Sequence, residues 1–400
     1  MPDSYRYVVV GSQLTGVSAV HGIREVDQEG PILLVGREQH MPYDRPPLSK
    51  SLWFGKKKVE EIYLQAQGFY EDQGVELRLG SEVVGLDPSA KTIACQGGTT
   101  CGYDKLLLAT GGRPRRLDAP GGDLPPVYYY RTLDDYTRIR ELAGAGARAV
   151  VIGGGFIGSE MAAALHTNGV TVTMIYGGPY LVDRVVPPDL GRALEADYSQ
   201  RGITIHAGDT PVSFEARDSR LVTKTKKGRE VTSDFAIVGI GIEAETALAA
   251  TAGLEVEKGI VVDEELRTST PDIYAAGDNA LFPYQALGRR MRIEHWDHAV
   301  NQGKHAGRNM AGGHDPYTHM PYFFSDLFEF GYEAVGEVDS RLRVFADWQE
   351  ENRTGVLYYL DDGSVRGVML CNVWDKVEDA RALIRGKKKL TAEELSGAIR

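Results

Sequence analysis

Residues 149–158 read Ala149-Val150-Val151-Ile152-Gly153-Gly154-Gly155-Phe156-Ile157-Gly158. The apolar run is a buried-strand signal, and the glycines after it fit G-x-G-x-x-G at Gly153, Gly155 and Gly158. A helical stretch over 157–167 and a second apolar run over 170–175 complete a strand–helix–strand unit with a right-handed crossover. In that setting the first glycine makes the tight turn and the second lets a pyrophosphate approach the backbone. The third packs the helix on the sheet, with the helix N-terminus facing the phosphates. The segment therefore predicts a dinucleotide-binding unit, with Phe156 and Ile157 inside its phosphate loop.

The same pattern opens the chain. Tyr7-Val8-Val9-Val10 leads into Gly11-Ser12-Gln13-Leu14-Thr15-Gly16, then a helical stretch over 17–26 and a strand over 32–35. Gln13 replaces the middle glycine, so a side chain stands where pyrophosphate would meet bare backbone. Glu38, just past the second strand, is the candidate ribose acceptor of this unit. In the mid-chain unit the equivalent position is Tyr176, followed by Gly177-Gly178-Pro179. It offers no acid for a ribose 2′-hydroxyl and no adjacent cation for a 2′-phosphate. The nearest arginine is Arg184, so NADH is weakly favoured over NADPH. Two more apolar runs end in glycine: 105–108 enters Ala109-Thr110-Gly111, and 235–238 enters Gly239-Ile240-Gly241. Tyr274-Ala275-Ala276-Gly277-Asp278 is a short strand ending in Gly-Asp, where an aspartate meets a ligand hydroxyl.

Composition sets the outer limits. A chain of 400 residues with 42% hydrophobic and 25% charged residues holds two or three domains with real cores. The net charge of −11 argues against a broad nucleic-acid surface. Three cysteines, none in C-x-x-C spacing, build neither a disulfide scaffold nor a zinc site, and the histidines show no metal-ligand pattern. No apolar run is long enough to span a membrane, and the first residues lack a signal-peptide pattern, so a cytoplasmic protein is expected. From about residue 320 the texture changes to short aromatic-rich strands over 322–324, 332–338, 344–348, 356–360 and 365–373, a separate α+β domain.

Taken together, the early glycine loop, Ala109-Thr110-Gly111, the mid-chain glycine motif and Tyr274-Ala275-Ala276-Gly277-Asp278 resemble the two-dinucleotide flavoprotein reductases. Pro42-Tyr43-Asp44-Arg45-Pro46-Pro47-Leu48-Ser49-Lys50 narrows the resemblance to ferredoxin and rubredoxin reductases and apoptosis-inducing factor. Ser325-Asp326-Leu327, residues 331–336 and residues 367–372 resemble the C-terminal domain of those flavoproteins. The resemblance implies an α/β fold with two Rossmann-like domains and a C-terminal α+β domain. It places an FAD domain at 1–122 and 246–319, an NAD(P)H domain at 123–245 and an interface domain at 320–400.

It also implies roles for named residues. Lys50 and Glu160 match a lysine–glutamate pair beside the flavin ring. Glu294 and His295 would position nicotinamide, with Trp296 near the isoalloxazine, while Arg45 and Arg131 would offer cations to FAD. Gly11, Gln13, Gly16, Glu38, Gly277 and Asp278 fall on the FAD side; Gly153, Gly155, Gly158, Tyr176, Gly239 and Gly241 fall on the NAD(P)H side. The activity implied is transfer from NAD(P)H to FAD and onward to a ferredoxin- or rubredoxin-type carrier, a quinone or oxygen. The loop 41–50 has no cysteine, so a dithiol relay is excluded. Lys56-Lys57-Lys58 and Lys387-Lys388-Lys389 are solvated faces or a local patch for an acidic carrier. The alternative is a redox-responsive interaction protein resembling apoptosis-inducing factor, with a long-lived reduced flavin and slow turnover. A monomer and a homodimer both remain open.

Overall fold

The computed structural model describes residues 3–399. They divide into two compact units. One comprises the described residues up to Asp44 together with Val59–Arg113 and Glu243–Pro321. The other comprises Arg45–Lys58, Pro114–Ile242 and the described residues from Tyr322 onward.

In the first unit the strand Asp3–Val10 lies between Ile32–Val35 and Thr100–Leu108, all parallel, with Val35 and Leu108 both level with Val10. Val75–Arg78 extends the sheet beyond Ile32–Val35. Ile273–Ala275 returns from far along the chain to pair with Thr100–Leu108, Ala275 opposite Leu108. The unbroken apolar runs explain this placement. Residues 7–10 and 32–35 are buried throughout, as strands covered on both faces must be. Gly11, Gly36, Ala109 and Ala276 therefore follow these strands at one edge of the sheet, where the chain departs on both sides of Asp3–Val10. Such a switch point is where open α/β sheets bind ligands.

Two helices of this unit, Leu14–Arg24 and Trp296–Met310, cross in direct backbone contact. A Cβ on Gly303 would overlap the Thr15 carbonyl, and one on Gly307 would overlap the Ala19 carbonyl. The helix Leu14–Arg24 begins three residues earlier than the stretch over 17–26 that periodicity suggests. The N-caps of the two helices, Gln13 and His295, already stand in extended conformation directly after the strand or turn.

The second unit repeats the plan. Its parallel sheet runs Thr204–Ala207, Thr171–Tyr176, Arg148–Ile152, Phe235–Val238 and Val127–Tyr129 in spatial order. Phe214 and Leu221 of the antiparallel strands Pro211–Arg217 and Arg220–Thr225 close one face, packing with Val150, Ile152, Ile175 and Val238. Residues 322–371 form a five-stranded antiparallel sheet. Its hairpins are tight, and Asp362-Gly363 supplies two positive-φ residues between paired Asp361 and Ser364. The strands Arg343–Glu350 and Thr354–Asp361 run longer than their apolar cores because antiparallel pairing continues into polar residues at each end, whereas the strands expected over 332–338 and 365–373 end at Gly336 and Cys371.

The helix contact carries a stability prediction. Gly307→Val should lower the urea midpoint, a loss of about 1–3 kcal/mol from forced separation of the helices. Gly144→Ala, at an exposed position with open space around it, should leave the midpoint in place.

Candidate functional site

The second unit carries its glycine loop at the end of Arg148–Ile152. Gly153 adopts φ +118, and a Cβ there would overlap the Gly239 carbonyl oxygen, so the turn admits only glycine. Gly158 is equally tight against the Gly153 carbonyl. Gly155 differs: it is exposed, caps the helix Phe156–Thr167, and has nothing within 4 Å of where a Cβ would stand. Bare backbone and a helix N-terminus thus face open space, an arrangement that fits the pyrophosphate of a dinucleotide. Ile157 is exposed beside it, and Phe156 rests on Phe323 with ring centroids 5.6 Å apart. Gly241 adopts φ +96 at the end of the neighbouring strand.

Tyr176 does not look outward. It is 4% exposed, its ring lies where a Gly154 side chain would go, and its hydroxyl donates to Glu195. Burial and that carboxylate push the phenol far up its pKa range, so it stays a proton donor.

The first unit makes the matching loop with Gly11 (φ +115) against the Ala109 carbonyl and Gly16 against the Gly11 carbonyl. Gln13 resolves its own conflict. Its Oε1 accepts the Tyr43 backbone N–H at 3.1 Å, so the side chain ties the glycine loop to residue 43. Tyr43 in turn donates its hydroxyl to Glu38 at 2.6 Å. Asn279 donates its amide to the Leu108 carbonyl at 3.0 Å and to Thr110 Oγ1 at 2.9 Å. The Thr110 hydroxyl donates to the Glu245 carbonyl at 2.7 Å, and Gly111 adopts φ +66 with open space around it. Gly277 sits with φ +88 against Thr15, and its N–H donates to Gln302 at 2.7 Å. Arg292 donates to the Asp278 carbonyl and pairs with Glu294 at 2.6 Å. These strand ends fit a second dinucleotide, because the polar groups around them hold backbone in place and leave the glycines bare.

Trp296 begins its helix partly exposed, and its indole N–H donates to Asp44 at 2.7 Å. His295 precedes it, half-buried, with its imidazole pushed down to about 4 by desolvation. At neutral pH it therefore offers a neutral ring to its surroundings rather than a cation.

The charged centre lies in the second unit. Glu160 is 4% exposed on the helix Phe156–Thr167, and Lys50 Nζ stands 2.7 Å from its Oε1. Two hydroxyls complete it: Ser49 donates to Oε2 at 2.5 Å and Ser325 donates to Oε1 at 2.6 Å. The Lys50 ammonium also lies 5.3 Å from the centre of the Phe324 ring. A buried carboxylate needs such donors, since an unanswered charge costs far more than any hydrogen bond returns. Lys50 and Glu160 were singled out from sequence; Ser49 and Ser325 were not, although both lie inside quoted strings. Arg45 and Arg131 also meet, Arg45 donating to the Arg131 carbonyl at 2.8 Å. Cys95, Cys101 and Cys371 are all free and buried, and desolvation raises the Cys371 thiol well above its usual range. Among the described residues no group of acids, histidines and cysteines could hold a metal ion, and no helix is long and apolar enough to cross a membrane.

Known proteins resemble this chain over most of its length. Residues 5–303 match the family described as pyridine nucleotide-disulphide oxidoreductase. Residues 306–354 match the C-terminal domain described for mitochondrion-associated apoptosis-inducing factor. The chain is 32% identical to the ferredoxin–NAD(+) reductase component of the 3-phenylpropionate/cinnamic acid dioxygenase of Photorhabdus laumondii, covering 94% of this chain and 95% of that one. It is 31% identical to mitochondrial apoptosis-inducing factor 1 of Dictyostelium discoideum, covering 98% and 80% respectively. Among solved structures, a covalent putidaredoxin reductase–putidaredoxin complex superposes with a TM-score of 0.92 at 31% identity, covering 98% of this chain and 95% of that one.

Two outcomes follow from the geometry. Ser325→Ala should cost about 1–3 kcal/mol in urea unfolding by leaving Glu160 short of a donor, and Glu160→Ala about 3–5 kcal/mol by stranding Lys50. The second concerns His298, fully buried, stacked on Phe282 at 4.9 Å and lowered to about 3 by burial. The unfolded chain takes up this proton near pH 6.5 and the folded chain only near 3, so stability is lost as pH falls through that window. Thermal midpoints of His298→Phe should therefore decline less steeply than wild type between about pH 7 and pH 5.

Proposed function

Because the chain belongs to the pyridine nucleotide-disulphide oxidoreductase family, we propose that it is an FAD-dependent NAD(P)H reductase serving a small ferredoxin- or rubredoxin-type carrier. The observation that carries this reading is the pair of glycine-lined strand ends, each beside a helix N-terminus, in one chain. Gly11 and Gly16, with Ala109, Thr110, Gly111, Gly277 and Asp278, hold FAD; Gly153, Gly155 and Gly158, with Gly239 and Gly241, hold NAD(P)H. Domain limits of 1–122 with 246–319, 123–245 and 320–400 describe this division of labour.

Bound FAD supplies the two-electron acceptor for NAD(P)H and the one-electron donor for a carrier. The protein's part is orientation and charge. Lys50, fixed by Glu160, holds a positive charge that cannot wander, and such a charge stabilises negative charge gathered on a nearby ring. Glu294, His295 and Trp296 supply a carboxylate, a neutral imidazole and an exposed indole for positioning nicotinamide and flavin. Arg45 and Arg131 add cations. With every cysteine buried and none in the loop 41–50, electrons leave without a thiol relay. We place the protein in the cytoplasm, where free buried thiols suit reducing conditions.

The relative named as a ferredoxin–NAD(+) reductase component and the putidaredoxin reductase–putidaredoxin complex favour an iron–sulfur acceptor over a quinone or oxygen. The match to apoptosis-inducing factor favours a second reading, in which reduced flavin persists and governs association. Steady-state assays with NADH and a panel of ferredoxins, rubredoxin, quinone and oxygen separate them. Fast reduction of an iron–sulfur protein supports the reductase, and slow turnover with every acceptor supports the second. Lys50→Ala and Glu160→Gln should each slow flavin reduction at least ~10-fold; full rates in both would remove the pair from the mechanism.

A further inference from the structure

The dinucleotide-binding unit lacks its usual ribose acid, yet a carboxylate reaches the same strand end from elsewhere. Tyr176, at the end of Thr171–Tyr176, is turned inward onto Gly154 and Glu195. Past it, Gly177 is exposed and Gly178 half-buried, and neither carries a side chain that would fill the space. Asp183 fills it instead. A Cβ on Gly178 would come within 2.6 Å of Asp183 Oδ2 and 3.1 Å of its Oδ1, so glycine at 178 is what admits the carboxylate.

The turn that delivers Asp183 is anchored to the glycine loop itself. The Val182 N–H donates to the Gly154 carbonyl at 2.7 Å, and the Val182 carbonyl accepts from Val185 at 2.8 Å and Val186 at 3.1 Å. Val182 holds φ +49, a conformation that a β-branched residue adopts only under constraint. On the other side, Ser340 donates its hydroxyl to the Asp183 carbonyl at 2.5 Å, and its N–H to the Arg184 carbonyl at 3.1 Å. The backbone is thus pinned at both ends, while the Asp183 carboxylate takes no hydrogen bond or ion pair from another described residue.

We infer that Asp183 reads the adenosine ribose of the nicotinamide dinucleotide, accepting its hydroxyls and thereby selecting NADH over NADPH. The inference rests on the proposed binding of NAD(P)H to this unit. An acid at this strand end accepts from a ribose 2′-hydroxyl and repels a phosphate at the same carbon. The acid has moved seven residues along the chain, from the strand end at 176 to a turn at 183, and the pair Gly177-Gly178 is the opening it works through.

The test is calorimetric binding of NAD+ and NADP+ to the purified flavoprotein, wild type, Asp183→Asn and Asp183→Ala, with kcat/KM for NADH and NADPH alongside. Wild type should bind NAD+ more tightly, and both variants should lose ~10- to 100-fold of that preference, the worth of a charge-assisted hydrogen bond. Thermal midpoints within a few degrees of wild type establish that either variant is folded. A wild-type preference for NADP+ would overturn the inference and give the ribose to Arg184. An NAD+ preference unchanged in both variants would overturn it alone, leaving the reductase reading intact. Failure of wild type to bind either dinucleotide would overturn both.

Discussion

A carboxylate taken out of water must be met by donors, and Glu160 is the place where this chain meets that requirement. Its three donors come from two stretches far apart in sequence, positions 49 and 50 and position 325. The loop Arg45–Lys58, the helix Phe156–Thr167 and the strand Tyr322–Leu327 are therefore bound to one point in the second unit. The same helix begins at Gly155, so the group that fixes the lysine charge and the backbone that faces open space share one rigid element. A buried ion pair adds little net stability once desolvation is counted. Under the proposed function, the pair serves to hold an immobile positive charge for a redox ring.

Much of this was legible in the sequence, for physical reasons. Parallel strands buried on both faces read as uninterrupted apolar runs, and 7–10, 32–35, 149–152 and 235–238 did so. Glycines forced by close backbone approach, such as Gly11 and Gly153, mark strand ends without any need of tertiary information. Lys50 and Glu160 were legible only through resemblance, since nothing local links positions 110 residues apart. Ser49 and Ser325 were beyond reach: a hydroxyl's partner is chosen by packing, and serine looks the same in a loop or in a strand. Gln13 looked like an obstruction because spacing gives position without direction, and its amide turns onto Tyr43. Tyr176 taught the same lesson in reverse, as the residue at the expected place points into the unit.

The cysteines bear on how electrons leave. A thiol relay needs an accessible thiolate near the flavin. Cys95 and Cys101 are buried on neighbouring strands, and Cys371 is buried in the C-terminal sheet. The flavin itself must then hand electrons onward, which suits a one-electron carrier.

Under the proposed function, NADH and a small iron–sulfur protein exchange electrons through flavin held by this chain. Sequential anaerobic mixing tests it most directly, first with NADH and then with an oxidised ferredoxin, while the visible flavin band is followed. The account predicts that the band bleaches on the first mixing and returns on the second as the ferredoxin is reduced. A purified protein with no flavin band, or a band that stays bleached after the ferredoxin is added, would contradict it.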